Sequence, residues 1–243
     1  MNKREYDSDP LQNKKLIERI RKLLVIDFQC PLTTKILSAA ELNIIYPEDR
    51  KLRQKGGELL ALKILDSFFF GRGKDYCLGI SSPLRSWKSC SRLSTYLSWG
   101  QISLRTVVQI VESMRKKING NTVDKDLWQK SLTALSSRLR WRSHFIQKFE
   151  MQVSMEYINQ CRAFDGLRQT TNESYLAAFK AGMTGFPMVD ACIRALQSTG
   201  WINFRMRAML ASFAAYNLWL DWRVYSSFLA RSFLGEIRLF IIS

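Results

Sequence analysis

Histidine is nearly missing from this chain: His144 is the only one among 243 residues. The five cysteines, Cys30, Cys77, Cys90, Cys161 and Cys192, are odd in number and scattered, with no CxxC pair. Together these scarcities argue against a zinc site, a Cys–His nucleophile, an iron–sulfur cluster and a disulfide framework. They point to a reducing compartment, hence a cytoplasmic protein, with no metal. Proline is rare at 5 residues and glycine numbers 12, so helix breakers are few. With long stretches of 3.6-residue periodicity, that favours an all-α fold over a sheet. No 18-residue apolar run is free of charge, so no membrane span is expected. The opening MNKREYDSDP lacks the apolar core of a secretory signal.

Acidic residues are also in short supply. Lys and Arg total 37 against 21 Asp and Glu, a formal net charge of +16. Such an excess favours a polyanionic partner, nucleic acid first and an anionic membrane surface second. With 47% hydrophobic residues the chain is a folding sequence and long enough for one large core.

The periodicity places the elements. Residues 11–26 form a basic amphipathic helix, and residues 27–55, broken by Pro31 and Pro47, form short helices and loops. Residues 1–50 therefore read as an N-terminal extension and 51–243 as the main domain. A helix opens at Gly56-Gly57-Glu58 and ends at Gly71-Arg72-Gly73. Residues 71–90 read as a long loop. A helix follows over 102–118, with Val107, Val111, Met114 and Ile118 on one face. After a turn at 119–122, the longest helix spans 127–150 on a stripe of Trp128, Leu132, Leu135 and Leu139. Residues 151–178 look irregular and polar. A helix then starts after Thr184-Gly185-Phe186-Pro187 and stops at Gly200, which accepts the left-handed conformation. The last helix is expected from Asn203 to Arg223.

Three constellations carry candidate chemistry. Ser89-Cys90-Ser91-Arg92-Leu93-Ser94 lies between a loop and a helix, where hydroxyls and unpaired N–H groups favour an anion; plain N-capping is the simpler alternative. Arg140-Trp141-Arg142 joins an indole to two guanidinium groups, though on a helix the three fan out and cannot all face one ligand. Trp201, Arg205 and Arg207 form a charged aromatic corner after Gly200, suited to a flat anion; its alternative is a tryptophan buried at a helix crossing.

In order and spacing, SRLSTYLSWGQIS, LRWR and TGFPMVDACIRALQSTGW resemble the FAD-binding domain of the photolyase/cryptochrome family, over roughly residues 50–234. The resemblance implies noncovalent FAD, DNA as partner on a basic face, and light-dependent DNA repair or blue-light sensing by a lyase-type flavoprotein. It implies cofactor contacts from Tyr76, Cys90 (where threonine is usual), Ser91, Leu93, Ser94, Arg142 and Arg207. It implies a substrate cavity lined by Trp141 and Trp201, with Phe204 at a lesion-contact position. Trp222 takes the place of an electron-transfer tryptophan. The alternatives are a flavin-free basic module binding DNA or protein, and a non-functional truncated member.

Departures from the family pattern accompany the matches. Phe204 replaces an asparagine, Arg138 an acidic residue, and Gln169 the tryptophan nearest the surface. An acidic partner for Arg207 would fall near Gly235, and the ending GEIRLFIIS does not resemble the family. The expectation is a domain incomplete after about residue 234. No alternating strand–helix pattern precedes residue 56, so the family's antenna domain would come from a separate polypeptide.

Overall fold

The computed structural model describes residues 52–118, 124–168 and 170–235, with the single residue Glu18. The N-terminal extension up to residue 51, the turn at 119–122, Gln169 and the ending after Gly235 otherwise lie outside the described residues. No strand occurs among the described residues, and the fold is all-α. No helix among them is long and apolar enough to cross a membrane.

Helix α1 (Glu58–Phe69) buries Ala61, Leu65, Phe68 and Phe69. The stretch read as a long loop is instead a 3-10 turn (Arg72–Asp75) followed by two single-turn helices, α2 (Tyr76–Gly79) and α3 (Ser86–Ser89). Such short pieces leave no periodic signature in the sequence, because one turn is less than a repeat. Helix α4 (Ser94–Ser98) is equally short. Helices α5 (Leu104–Ile118) and α6 (Lys125–Met151) pack together on the stripes expected of them.

The second half departs more from its sequence reading. A helix, α7 (Glu173–Ala181), begins inside the stretch expected to be irregular and runs beyond its end. Asn172 caps it by accepting from the Tyr175 N–H at 3.2 Å, satisfying one of the unpaired first-turn amides. Helix α8 (Pro187–Thr199) starts on proline and ends at Gly200, whose φ is 69°. The helix expected to run from Asn203 to Arg223 is broken. Helix α9 (Phe204–Ser212) passes into a π turn (Phe213–Asn217), Trp219 takes a φ of 55°, and α10 (Trp222–Ser232) begins afresh behind the cap Asp221.

Two cores result. The first gathers α1 and the 90–97 segment against α5 and α6, with Trp201 reaching in from the Gly200 corner. The second joins α7, α8, α9 and α10 around Phe179, Ile193, Leu196 and Leu210. Each fully buried Leu or Phe contributes roughly 1.5–3 kcal/mol. The corner at Gly200 bridges them: Leu234 N–H donates to the Gly200 carbonyl at 3.0 Å, and the Leu234 side chain occupies the space beside the Gly200 Cα.

Candidate functional site

A cleft of about 1050 Å³ of open space lies between the 90–98 segment, α6 and the Gly200 corner. Tyr76, Cys90, Ser91, Leu93, Ser94, Trp141, Arg142, Trp201, Phe204 and Arg207 all line it. Of the residues that the family resemblance nominated for cofactor, substrate or electron transfer, Trp222 alone is absent from the lining. Four guanidinium groups (Arg92, Arg138, Arg142 and Arg207) face the cleft, and no carboxylate is among its described lining residues. An apolar cleft with converging cations and hydroxyls suits a planar, anionic ligand.

The inner wall is fixed by contacts that begin in α6. The buried Ser131 hydroxyl donates to the Lys74 carbonyl at 2.7 Å and accepts from the Cys77 N–H at 3.0 Å, bracketing Tyr76. Tyr76 stands edge-on to Phe68, with ring centroids 5.6 Å apart. Burial, with a smaller contribution from Cys90, keeps its phenol protonated well above its ordinary range. Burial likewise pushes the Cys90 thiol up to about 11, so Cys90 acts as a small neutral side chain rather than a nucleophile.

The 90–94 stretch is held from behind. Arg72, which sequence reasoning treated only as part of a helix-ending turn, donates through Nη1 to the Cys90 carbonyl. Its Nη2 donates to the Ser91 carbonyl at 2.9 Å, and its Nε to the Ser67 hydroxyl at 3.0 Å. Burial, then repulsion from Arg92, lowers its guanidinium to about 10. Arg92 has a positive φ of 61°, uncommon for a residue with a side chain. The segment does not have the full helix start expected of it. The helix after Leu93 is one turn long and has no side-chain cap, so its dipole is small. Anion affinity in this wall comes from hydroxyls, amides and guanidinium groups.

The corner differs from its expectation in one respect. Trp201 is only 6% exposed. The Arg92 guanidinium covers it 4.1 Å from the ring centroid, and Trp87 meets it edge-on at 5.1 Å. Arg92 therefore lies as a cover over the tryptophan nominated for the substrate cavity, where it holds a cation–π contact. Arg207 donates its Nε to the Ile202 carbonyl at 3.3 Å and stands over Phe233 at 4.2 Å. It is half-buried, and Gly235 joins it in the lining where an acidic partner was expected. Arg142 donates to the Leu97 carbonyl at 3.2 Å, and burial lowers its pKa.

The mouth is more open. Trp141 is 51% exposed and Phe204 39% exposed, with Arg138 over the Phe204 ring at 5.5 Å. Arg140 turns away into a separate groove between α5 and α6 shared with His144, as the fanning of a helix requires. Trp222 belongs to the second core, where its indole N–H donates to the Asn159 side chain at 2.7 Å. Arg205 is exposed and does not line the cleft.

The fold and cleft thus define a helical cofactor-binding domain. The family described as the FAD binding domain of DNA photolyase matches residues 134–235. A deoxyribodipyrimidine photo-lyase of Neurospora crassa is 28% identical over 197 residues, covering 73% of this chain and 30% of that protein. A cryptochrome DASH of Idiomarina loihiensis is 27% identical over 174 residues, 70% of this chain and 36% of that one. The fold is similar to a class III photolyase from Agrobacterium tumefaciens, with a TM-score of 0.71 and 23% identity over 88% of this chain and 43% of that one. Over residues 134–235 the chain matches the FAD-binding domain of DNA photolyases, and the proteins it is similar to are photolyases and cryptochromes. It spans about a third of the length of the curated relatives it matches.

The residues present fit FAD. The cations and hydroxyls around 91–98 suit a pyrophosphate, and the apolar surface of Leu93, Leu97, Leu139 and Phe145 suits the flat rings.

Proposed function

We propose that this chain holds FAD noncovalently in the cleft and serves a photolyase- or cryptochrome-type flavoprotein that meets DNA at the cleft mouth. The observation that carries the reading is the convergence of Ser91, Ser94, Arg142 and Arg207 on one cleft without a carboxylate in its described lining. FAD, when bound, supplies one-electron chemistry driven by light. The chain's own residues do the rest. Ser91 and Ser94 offer hydroxyl donors, and Arg142 and Arg207 neutralise negative charge. Tyr76, Leu93 and Leu97 exclude water. At the mouth, Trp141 and Phe204 present ring faces on which a flipped base stacks, while Arg138 takes a phosphate. Trp222, held by Asn159, would serve as an electron-transfer side chain when FAD is bound; Trp222→Phe is then expected to leave FAD binding unchanged while slowing flavin photoreduction by an added external reductant.

The test is reconstitution. Purified protein incubated with FAD and then desalted retains a flavin absorption band at one equivalent. A colourless protein that binds DNA with steep salt dependence would instead establish the flavin-free basic module. A chain that neither folds nor binds either ligand would be the non-functional member. Whether an antenna polypeptide joins the complex is read from co-purification of a second chromophore-bearing chain.

A further inference from the structure

Three successive carbonyls at the inner wall are tied to side chains outside the cleft. Those of Cys90 and Ser91 accept from the two Nη atoms of Arg72, and that of Arg92 accepts from Gln54 Nε2 at 2.9 Å. Neither Arg72 nor Gln54 is among the described residues that line the cleft, whereas Cys90, Ser91, Arg92 and Leu93 are. In an extended chain successive carbonyls point to opposite sides. Two that converge on one guanidinium therefore require a turn, and the rigid fork of arginine spans both at once. A trans peptide sets each N–H opposite the preceding carbonyl. Anchoring carbonyls 90, 91 and 92 therefore directs the amides of Ser91, Arg92 and Leu93 away from the anchors.

None of these three amides donates to an acceptor among the described residues. The left-handed φ of Arg92 followed by the right-handed φ and ψ of Leu93 (−86° and −14°) is a change of hand that draws the N–H groups of Arg92 and Leu93 toward one concavity, and the anchored Cys90 carbonyl adds that of Ser91. The same carbonyl anchors hold Arg92 at that unfavourable φ, and its side chain is pinned between Trp87 and Trp201 at 5.1 and 4.1 Å.

We infer that Arg72 and Gln54 are positioning residues for the cofactor's pyrophosphate: by holding three carbonyls outward they turn the Ser91, Arg92 and Leu93 amides into the cleft as a preformed anion site. The inference rests on the reading that the cleft takes FAD, and it adds that phosphate affinity is set by two side chains that never touch the ligand. The lysine at position 72 in Arg72→Lys keeps the charge but cannot span both carbonyls. Gln54→Ala removes the third anchor from a half-buried, less structurally demanding position.

The experiment compares FAD with riboflavin, which has the same ring system and no phosphate. Loss of one charge-assisted hydrogen bond predicts a weakening of FAD binding by about tenfold or more in Arg72→Lys, and less in Gln54→Ala, with riboflavin affinity unchanged within about twofold. FAD and riboflavin losing affinity in equal proportion, in variants whose helicity and melting are those of wild type, would overturn it. A second arm uses wild type alone, so variants that misfold do not spoil the test. Inorganic pyrophosphate titrated into 15N-labelled protein shifts the amide resonances of Ser91, Arg92 and Leu93 and saturates; no shift there would refute the site. If wild type takes no FAD, the cofactor reading falls while the pyrophosphate titration still decides the anion site.

Discussion

The inner wall of the cleft and its mouth are built on opposite plans. At the inner wall, Tyr76, Cys90 and Leu93 are buried, and two arginines spend their donors on backbone carbonyls and aromatic faces. At the mouth, Trp141 and Phe204 are exposed, on α6 and at the start of α9, with Arg138 loosely over the Phe204 ring. The first arrangement is preorganised: its backbone cannot relax when a ligand leaves, so little ordering is lost on binding. The second adapts to whatever stacks on it. On the function proposed above, the difference separates two properties: cofactor affinity is assigned to the fixed wall, and discrimination among nucleic-acid partners to the mouth.

Truncating each region in turn tests that division. The largest effect is expected at Phe68, fully buried beneath the wall and in contact with Tyr76 and Arg72. Phe68→Ala costs about 3–5 kcal/mol of stability by urea unfolding and abolishes FAD retention, whereas Phe204→Ala costs under about 1 kcal/mol. Equal losses would erase the contrast.

Thiol chemistry sharpens it without mutation. With burial pushing its pKa up to about 11, Cys90 holds far less thiolate at pH 8 than an ordinary thiol. Because the shift is upward, the neutral form persists in the folded protein until pH passes about 11, and the stability it brings is lost as pH rises from 9. Peptide mapping after alkylation at pH 8 should find the exposed Cys161 labelled and Cys90 protected. Rapid labelling of Cys90 in the folded protein would mean that the wall opens.

A smaller effect is expected at the hinge between the wall and the chain's last described residues. Gly200 has a φ of 69°, and a Cβ there would lie 2.5 Å from Leu234 Cγ. Gly200→Ala therefore lowers stability by about 1–2 kcal/mol, seen as a lower melting temperature. At the mouth, Trp141→Ala weakens single-stranded DNA binding by about 1 kcal/mol, and Arg138→Ala reduces the salt slope by about one; both leave FAD affinity unchanged.

The sequence announced the mouth and the ligand-facing residues better than it announced what holds them. Helices α5, α6 and α8 were legible because each repeats its apolar stripe over several turns and ends at a charged turn or at Gly200. The ten residues nominated for the cleft were legible through the spacing of SRLS, LRWR and TGW, and the fold brings them together. Arg72 was not, because its partners are main-chain carbonyls 18 and 19 residues away, and carbonyls carry no side-chain signature. Helix α7 was hidden by exposed polar positions, although Asn172 ahead of Leu176 and Phe179 is a cap before an apolar spacing of three. The break after Ser212 was hidden for the opposite reason. Phe213, Ala214 and Leu220 continue an apolar pattern across a π turn, and only Asp221 as a new cap betrays the restart. Arg92 was legible only as one residue of a candidate anion-binding stretch; its place over Trp201 depends on a contact between residues 109 positions apart.

The most direct measurement is a crystal structure of the protein with FAD. Electron density for the cofactor is expected in the cleft, its pyrophosphate within hydrogen-bond distance of the Ser91, Arg92 and Leu93 amides and its rings between Leu93 and α6. Density for FAD elsewhere on the molecule, or a cleft that stays empty in protein shown to bind FAD, would contradict that expectation.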